Sequence, residues 1–227
     1  MQIGGLQKLS LIDYPGQIAA VVFTQGCNFR CPFCHNRDLV LPDCYRDQIP
    51  VSDVLQFLDE RWGKLQAVVI SGGEPTLQKG LLPFMEKVKR LGYAIKLDTN
   101  GSRPRVLERI IKKRLVDFIA MDVKGPPDRY DILAGVPIKI EDIRESIRLI
   151  VDSGVEHLFR TTVVKPYLSG DDLRRTAEMA RAGQRYVLQE FIAVESVLNN
   201  TLMDRGHYTH EEFRQLQSEL QREEVSV

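Results

Sequence analysis

The sequence predicts an α/β fold made of six units of strand followed by helix. Three observations carry this: short apolar runs suited to strands buried on both faces, apolar residues at helical spacing between them, and glycines that stop most of the helical stretches. The first strand is IAAVVF (18–23), after the Pro15-Gly16 turn. Ser52 is placed to cap a helix whose Leu55, Leu58 and Trp62 share a face, with Gly63 just past its end. LQAVVISGG (65–73) is the second strand, and the helix after it runs to Leu91 and stops at Gly92. AIKLDTNG (94–101) is the third, after which Ser102 and Pro104 open a basic helix. DFIAMDVKG (117–125) is the fourth, followed by a helix striped by Ile143, Ile147 and Ile150 and stopped by Gly154. EHLFRTTVV (156–164) is the fifth, followed by Leu173, Ala177 and Ala180 on a helix stopped by Gly183. YVLQEF (186–191) is the sixth. Thr209 and Glu212 form a capping-box pattern before a last helix with Phe213, Leu216 and Leu220 on one face. Segments 34–52 and 125–137 are expected to be long loops.

Such an order fits an open doubly wound sheet or a barrel, closed or partial; six units are too few for the eight-stranded barrel. No linker rich in Pro, Gly or Ser divides the 227 residues. One domain, 1–227, is expected, with its core at about 17–191 and a C-terminal helical extension at about 194–227. Hydrophobic residues make up 43% of the chain, enough for a substantial core. Lys+Arg and Asp+Glu balance at 31 each, which argues against a broad nucleic-acid surface. No apolar run reaches the roughly 18 residues of a membrane span, and MQIGGLQKLSLIDYPG has no signal-peptide core. A cytoplasmic protein is expected, with neither membrane nor nucleic acid as partner. Three of its four cysteines crowd together, which in a reducing compartment points to metal or catalysis rather than disulfides.

The residues with chemistry gather at the carboxyl ends of the strands. Cys27, Cys31 and Cys34 follow the first strand, SGGEP (71–75) ends the second, DTNG (98–101) the third and MDVKG (121–125) the fourth. Arg160 lies in the fifth, and Gln189 and Glu190 in the sixth. In parallel α/β folds that end of the sheet is the active face. The spacing Cys-x3-Cys-x2-Cys lets one short loop hold three corners of a 4Fe–4S cluster and leaves the fourth iron open, as a catalytic metal requires. The competing reading is zinc, with Cys44 or His35 as fourth ligand, although zinc motifs favour paired Cys-x2-Cys units and no second pair is present.

With Phe33 before the last cysteine and GGEP at the end of the second strand, the chain resembles the radical S-adenosylmethionine superfamily over about 21–191. LSLIDYPG followed by VVFTQGCNFRCPFCHN, with DTNG and MDVKG, is similar to the activases of glycyl-radical enzymes, in particular those of anaerobic ribonucleoside-triphosphate reductases. The resemblance implies a partial (β/α)6 TIM-like barrel of parallel strands with a radical-SAM core. It also implies that S-adenosylmethionine chelates the open iron and is cleaved by one electron from a flavodoxin or ferredoxin. The resulting 5′-deoxyadenosyl radical would take a hydrogen atom from a backbone glycine of the partner, the reductase. Larger activases carry an inserted ferredoxin-like segment with further clusters; no cysteines remain here for one, and Cys44 reads as an incidental thiol.

The same resemblance implies roles beside which plainer readings stand. Gly72 and Gly73 let backbone approach the methionine moiety, or make a tight turn. Glu74 orients the methionine amino group, or stabilises the turn before Pro75. Phe33 packs near adenine, or is core; Asn28 and His35 bond to cluster sulfurs, or cap the loop. Asp98, Thr99 and Asp122 match positions that hold a monovalent cation (K+ or Na+) in the pyruvate formate-lyase activase; alternatively the two aspartates bond to ribose hydroxyls or pair with Lys124. Arg160 faces the anionic part of the ligand, or joins an internal ion pair, and Lys124 stands between these roles. Two other functions compete: a small-molecule radical enzyme like the 7-carboxy-7-deazaguanine synthases, and a zinc module without activity.

Overall fold

Seven strands form one sheet whose spatial order is their order in the chain. A computed structural model describes residues 1–181, 183 and 185–224, without the side chains of 219–224. β1 (Ile3–Ser10) runs antiparallel to β2 (Ala19–Thr24). β2 and the strands that follow it, β3 (Ala67–Gly72), β4 (Ala94–Thr99), β5 (Phe118–Asp122), β6 (Glu156–Val163) and β7 (Tyr186–Glu190), pair in parallel. These are the six expected strands in a partial TIM-like barrel, with β1 and β7 as its edges. β1 is an addition to the sequence reading. As an edge strand it buries only Ile3 and Ser10 fully, so it shows no apolar run.

Alternation along the strands sorts the side chains into two sets. Ala20, Val22, Val68, Ile70, Ile95, Leu97, Ile119 and Met121 join the large core shared with the helices. Ala19, Val21, Ala67, Val69, Phe118 and Ala120 cluster on the other face, together with Tyr14. Register aligns Ala19, Ala67 and Ala94 at the amino ends of their strands. These small side chains leave room for Tyr14, whose ring centroid lies 5.7 Å from that of Phe118. The inner face thus has an apolar floor. On the same face Lys96 stands two residues and Asp98 four beyond Ala94, and Asp122 and Arg160, in register with each other, lie one alternation further.

The helices cover the outer face. α1 (Arg37–Val40) and a 3-10 turn (Pro42–Cys44) occupy the first expected loop. α2 (Val51–Glu60) starts after Pro50 with no side-chain cap; Ser52 lies inside its first turn and donates to Asp53. Trp62 falls beyond the helix and is 71% exposed, because the chain turns away through Arg61 and Gly63, the latter at φ +76°. α3 (Leu81–Arg90) ends before Gly92 as expected. α4 (Pro104–Lys112) takes Pro104 in its first turn, but Ser102 bonds to Asn100 instead of capping. The second expected loop holds a 3-10 turn (Pro127–Arg129) and α5 (Tyr130–Ala134). α6 (Ile140–Asp152) buries its isoleucine stripe, and its Ser146 hydroxyl donates to the Gly101 carbonyl at 2.6 Å. α7 (Gly170–Ala180) has a capping box of Ser169 and Asp172. α8 (His210–Glu224) opens on the expected one, Glu212 N–H to Thr209 Oγ1 at 3.2 Å and Thr209 N–H to Glu212 Oε2 at 2.8 Å. Phe213 is buried, whereas the Leu220 side chain lies outside the described residues. Among the described residues no helix is long and apolar enough to cross a membrane.

Candidate active site

Cys27, Cys31 and Cys34 lie on the loop that leaves β2, and backbone bonds hold that loop from several sides. Gly26 N–H donates to the Leu39 carbonyl and Arg30 N–H to the Ala134 carbonyl, both at 2.7 Å. Leu198 N–H reaches the Cys34 carbonyl at 3.0 Å, and Asn199 N–H the Pro32 carbonyl at 2.9 Å. The Arg30 guanidinium donates to the Cys27 and Phe29 carbonyls. Gly135, at φ +68°, lets α5 dock here, since a Cβ would stand 2.1 Å from the Arg30 carbonyl oxygen.

All four cysteines are free thiols. Burial pushes the Cys27 thiol up to about 12 and the Cys31 thiol up to about 11, and raises Cys34 as well. Thiolates in such a place call for a bound cation to offset their desolvation. Among the described residues no three His, Cys, Asp or Glu side chains gather about one ion position. His35 stacks on Phe191 with centroids 5.3 Å apart, and its Nε2 lies 2.6 Å from the Ile192 carbonyl oxygen. Cys44 sits apart on its 3-10 turn. Three thiols on one loop fit a 4Fe–4S cluster, which takes one thiolate at each corner and does not require them to meet at a single ion.

GGEP proves to be a structural joint. A Cβ on Gly72 (φ +111°) would lie 2.4 Å from Thr24 N, and one on Gly73 would lie 2.1 Å from the Gly26 carbonyl oxygen. Close approach to backbone is indeed what these glycines allow, but the approaching backbone is the start of the cysteine loop. Glu74 is fully buried. Its Oε1 accepts from Thr76 N (3.0 Å), Thr76 Oγ1 (2.5 Å) and Thr99 Oγ1 (2.8 Å), and its Oε2 from Asn100 N (2.7 Å). Burial raises its carboxyl pKa, against four donors that favour the ionised form. Both oxygens are thus engaged, which is the turn-stabilising reading, extended to tie the ends of β3 and β4 together.

The remaining candidates form one ionic network. Lys96 Nζ lies 2.5 Å from Asp98 Oδ1. Asp98 Oδ2 accepts from Ser71 Oγ at 3.0 Å and lies 3.5 Å from Arg160 Nη2. Arg160 Nε donates to Asp122 Oδ1, and Lys124 Nζ lies 3.0 Å from Asp122 Oδ2. Burial would raise the Asp122 carboxyl, but Arg160 and Lys124 hold it well below the usual carboxylate range. In turn the carboxylate of Asp122, with that of Asp98 at Arg160, overcomes burial and raises Arg160 and Lys124. Lys124 also stands 5.9 Å from the ring centroid of buried Phe33. Asp122 thus pairs with Lys124 and Arg160, whereas Asp98 pairs with Lys96 and Arg160 and not with Lys124. Thr99 turns its hydroxyl to Glu74, away from this network. Gln189 is exposed.

Three participants were missed by the sequence reading: Lys96, Ser71 and Asn100. Asn100 Nδ2 donates to Asn28 Oδ1 at 3.1 Å and lies 3.9 Å from Cys27 Sγ; Asn28 in turn donates to Ser102 Oγ at 2.9 Å. Lys96 was legible as a lysine inside an apolar strand, two residues before Asp98 and on its face.

Residues 21–180 match the Radical SAM superfamily. A Methanocaldococcus jannaschii protein assigned as a glycyl-radical enzyme activating enzyme is 35% identical over 194 residues, 83% of this chain and 79% of that one. The chain belongs to the radical SAM superfamily and to its glycyl-radical activating enzymes. The pyruvate formate-lyase-activating enzyme of Streptococcus mutans is 33% identical over 145 residues, 59% of this chain and 54% of that one. The structure of Streptococcus suis SuiB bound to S-adenosylmethionine superposes with a TM-score of 0.73 at 15% identity, over 90% of this chain and 47% of that one. This radical SAM chain thus spans about half the length of the S. mutans enzyme and of SuiB. The likeness to SuiB shows the fold alone.

Proposed function

We propose that this enzyme installs a glycyl radical on an anaerobic ribonucleoside-triphosphate reductase, in the cytoplasm, with a flavodoxin or ferredoxin as electron donor. The observation that carries the reading is the loop of three thiols, Cys31 buried and Cys27 and Cys34 partly buried, at the carboxyl end of a parallel barrel, beside a cationic network. Cys27, Cys31 and Cys34 would hold the 4Fe–4S cluster, leaving one iron for S-adenosylmethionine. When bound, this pair supplies one-electron cleavage chemistry that ends in abstraction of a hydrogen atom.

The chain's own residues supply position and exclusion. Glu74, Gly72 and Gly73 lock the ends of β3 and β4 against the cysteine loop. Lys124 and Arg160 bring positive charge to the mouth, where it suits the carboxylate of S-adenosylmethionine. Phe33 lies buried beside Lys124 and offers an apolar surface toward adenine. Tyr14 and the alanines of the floor keep water from entering the barrel from below. LSLIDYPG, which contributes that tyrosine, supports the choice of a reductase among glycyl-radical proteins.

The test is anaerobic incubation of the reconstituted enzyme with reductant, S-adenosylmethionine and the co-encoded reductase, read by electron spin resonance. The expected result is a glycine-centred doublet that collapses when the reductase carries α-deuterated glycine. A radical formed on pyruvate formate-lyase alone would reassign the partner, and turnover of a small-molecule pterin without any protein partner would overturn the activase reading.

A further inference from the structure

We infer that Lys96 is a built-in cation of this barrel, so that Asp98 and Asp122 need no inorganic monovalent ion. The inference deepens the site proposed above, but it holds whichever protein is activated, because its test reads stability and ligand binding.

All four carboxylate oxygens face donors from the chain. Asp98 Oδ1 faces Lys96 Nζ at 2.5 Å, and Asp98 Oδ2 faces Ser71 Oγ at 3.0 Å and Arg160 Nη2 at 3.5 Å. Asp122 Oδ1 accepts from Arg160 Nε, and Asp122 Oδ2 faces Lys124 Nζ at 3.0 Å. Three cations thus meet two carboxylates, a surplus of one positive charge. That surplus matches a single ligand carboxylate. An added potassium or sodium ion would have to displace these donors and would double the surplus. Thr99, a further oxygen in the sequence-based cation set, is committed to Glu74.

Lys96 is the unusual member. Its side chain is 3% exposed and it stands in register with apolar Val69 and Phe118, at the level of the floor. A buried ammonium persists there only because Asp98, two residues on along the same face, neutralises it. Its position is that of an internal counter-ion reaching from the floor toward the ligand's storey. It touches no reacting atom, and its role is to position Asp98 and, through it, Arg160.

The experiment compares potassium, sodium and tetramethylammonium at equal ionic strength. Two quantities are read on the cluster-reconstituted protein: the Tm, and the Kd for S-adenosylmethionine by anaerobic equilibrium dialysis. In the wild type both should agree among the three cations, the Kd within about 2-fold. Lys96→Met keeps an unbranched stem but removes the charge and opens the Asp98 oxygen. It should bind S-adenosylmethionine at least about 10-fold more weakly in tetramethylammonium than in potassium or sodium, with Tm following the same order. A purely structural role for Lys96 would lower Tm equally in all three. A wild type that loses affinity in tetramethylammonium, or a Lys96→Met variant indifferent to the cation, overturns the inference. Should Lys96→Met fail to fold, the wild-type series still decides whether an inorganic ion is needed. Lys96→Met with Asp98→Asn removes the pair as a unit and should fold without cation preference; a cation requirement in that double variant also counts against the inference.

Discussion

Replacing Glu74 by Gln tests whether GGEP acts as a joint or as a ligand contact. The carboxylate receives four donors, three on Oε1 and one on Oε2. In Glu74→Gln the amide oxygen can keep the three from Thr76 and Thr99. The amide nitrogen then faces Asn100 N–H, donor against donor. One hydrogen bond to a charged group is lost, about 1.5–3 kcal/mol, and a buried N–H is left unpaired, about 1–3 kcal/mol. Relief of a buried charge returns part of this. A net loss of about 3 kcal/mol follows, which for a domain of this size lowers Tm by about 6–12 °C. The assay is thermal unfolding by circular dichroism at pH 7, with S-adenosylmethionine binding measured on the folded variant well below its Tm. Reduced Tm with affinity within about 3-fold of wild type is expected. An unchanged Tm with binding abolished would refute the argument, because it would mean that the carboxylate meets the ligand and that its four bonds contribute nothing to the fold.

Three further outcomes follow from the geometry. Ala in place of Cys27, Cys31 or Cys34 should abolish a functional 4Fe–4S site, whereas Cys44→Ala should retain iron and cleavage of S-adenosylmethionine; iron analysis and visible absorption decide, and the reverse pattern would sink the assignment. Gly73→Ala puts a methyl against the Gly26 carbonyl oxygen, 2.1 Å away before relaxation, and should cost about 1–3 kcal/mol together with much of the iron loading; full loading at wild-type Tm would count against the joint. Asp122 has a folded pKa held below its unfolded value of about 3.9, so its contribution is fully present above that value and is lost as pH falls through the folded one. Asp122→Asn should therefore lower Tm by about 5 °C at pH 5–8, and the gap should narrow progressively as pH falls below about 3.9; a constant gap on acidification would show that the loss is not electrostatic.

The strands β2 to β5 were legible because they are buried on both faces over most of their length and read as apolar runs, and β6 and β7 because they continue the same strand–helix alternation. β1 was not, since an edge strand with one covered face and three exposed positions, Gln7 to Leu9, carries no such signal. α1 and α5, of 4 and 5 residues, are too short for a helical stripe to show. In the site, the cysteines and the strand-end motifs could be read from local spacing. The charge network could not, because Asp122 meets Arg160 only through the β5–β6 register and Ser71 meets Asp98 only across β3 and β4. Glu74 was recognised as part of a motif, but its role depends on Thr99 and Asn100, 25 and 26 residues away.

The anchoring of the cysteine loop by Leu198 and Asn199 has a consequence for synthesis. Because the strands pair in chain order, the sheet can grow from its first hairpin as the chain emerges. Cys34 is made long before its backbone partner Leu198, 164 positions later by their numbers. At about 5–20 residues per second, that interval is roughly 8–33 s. Throughout it the cysteines are on a loop whose final clasp does not yet exist.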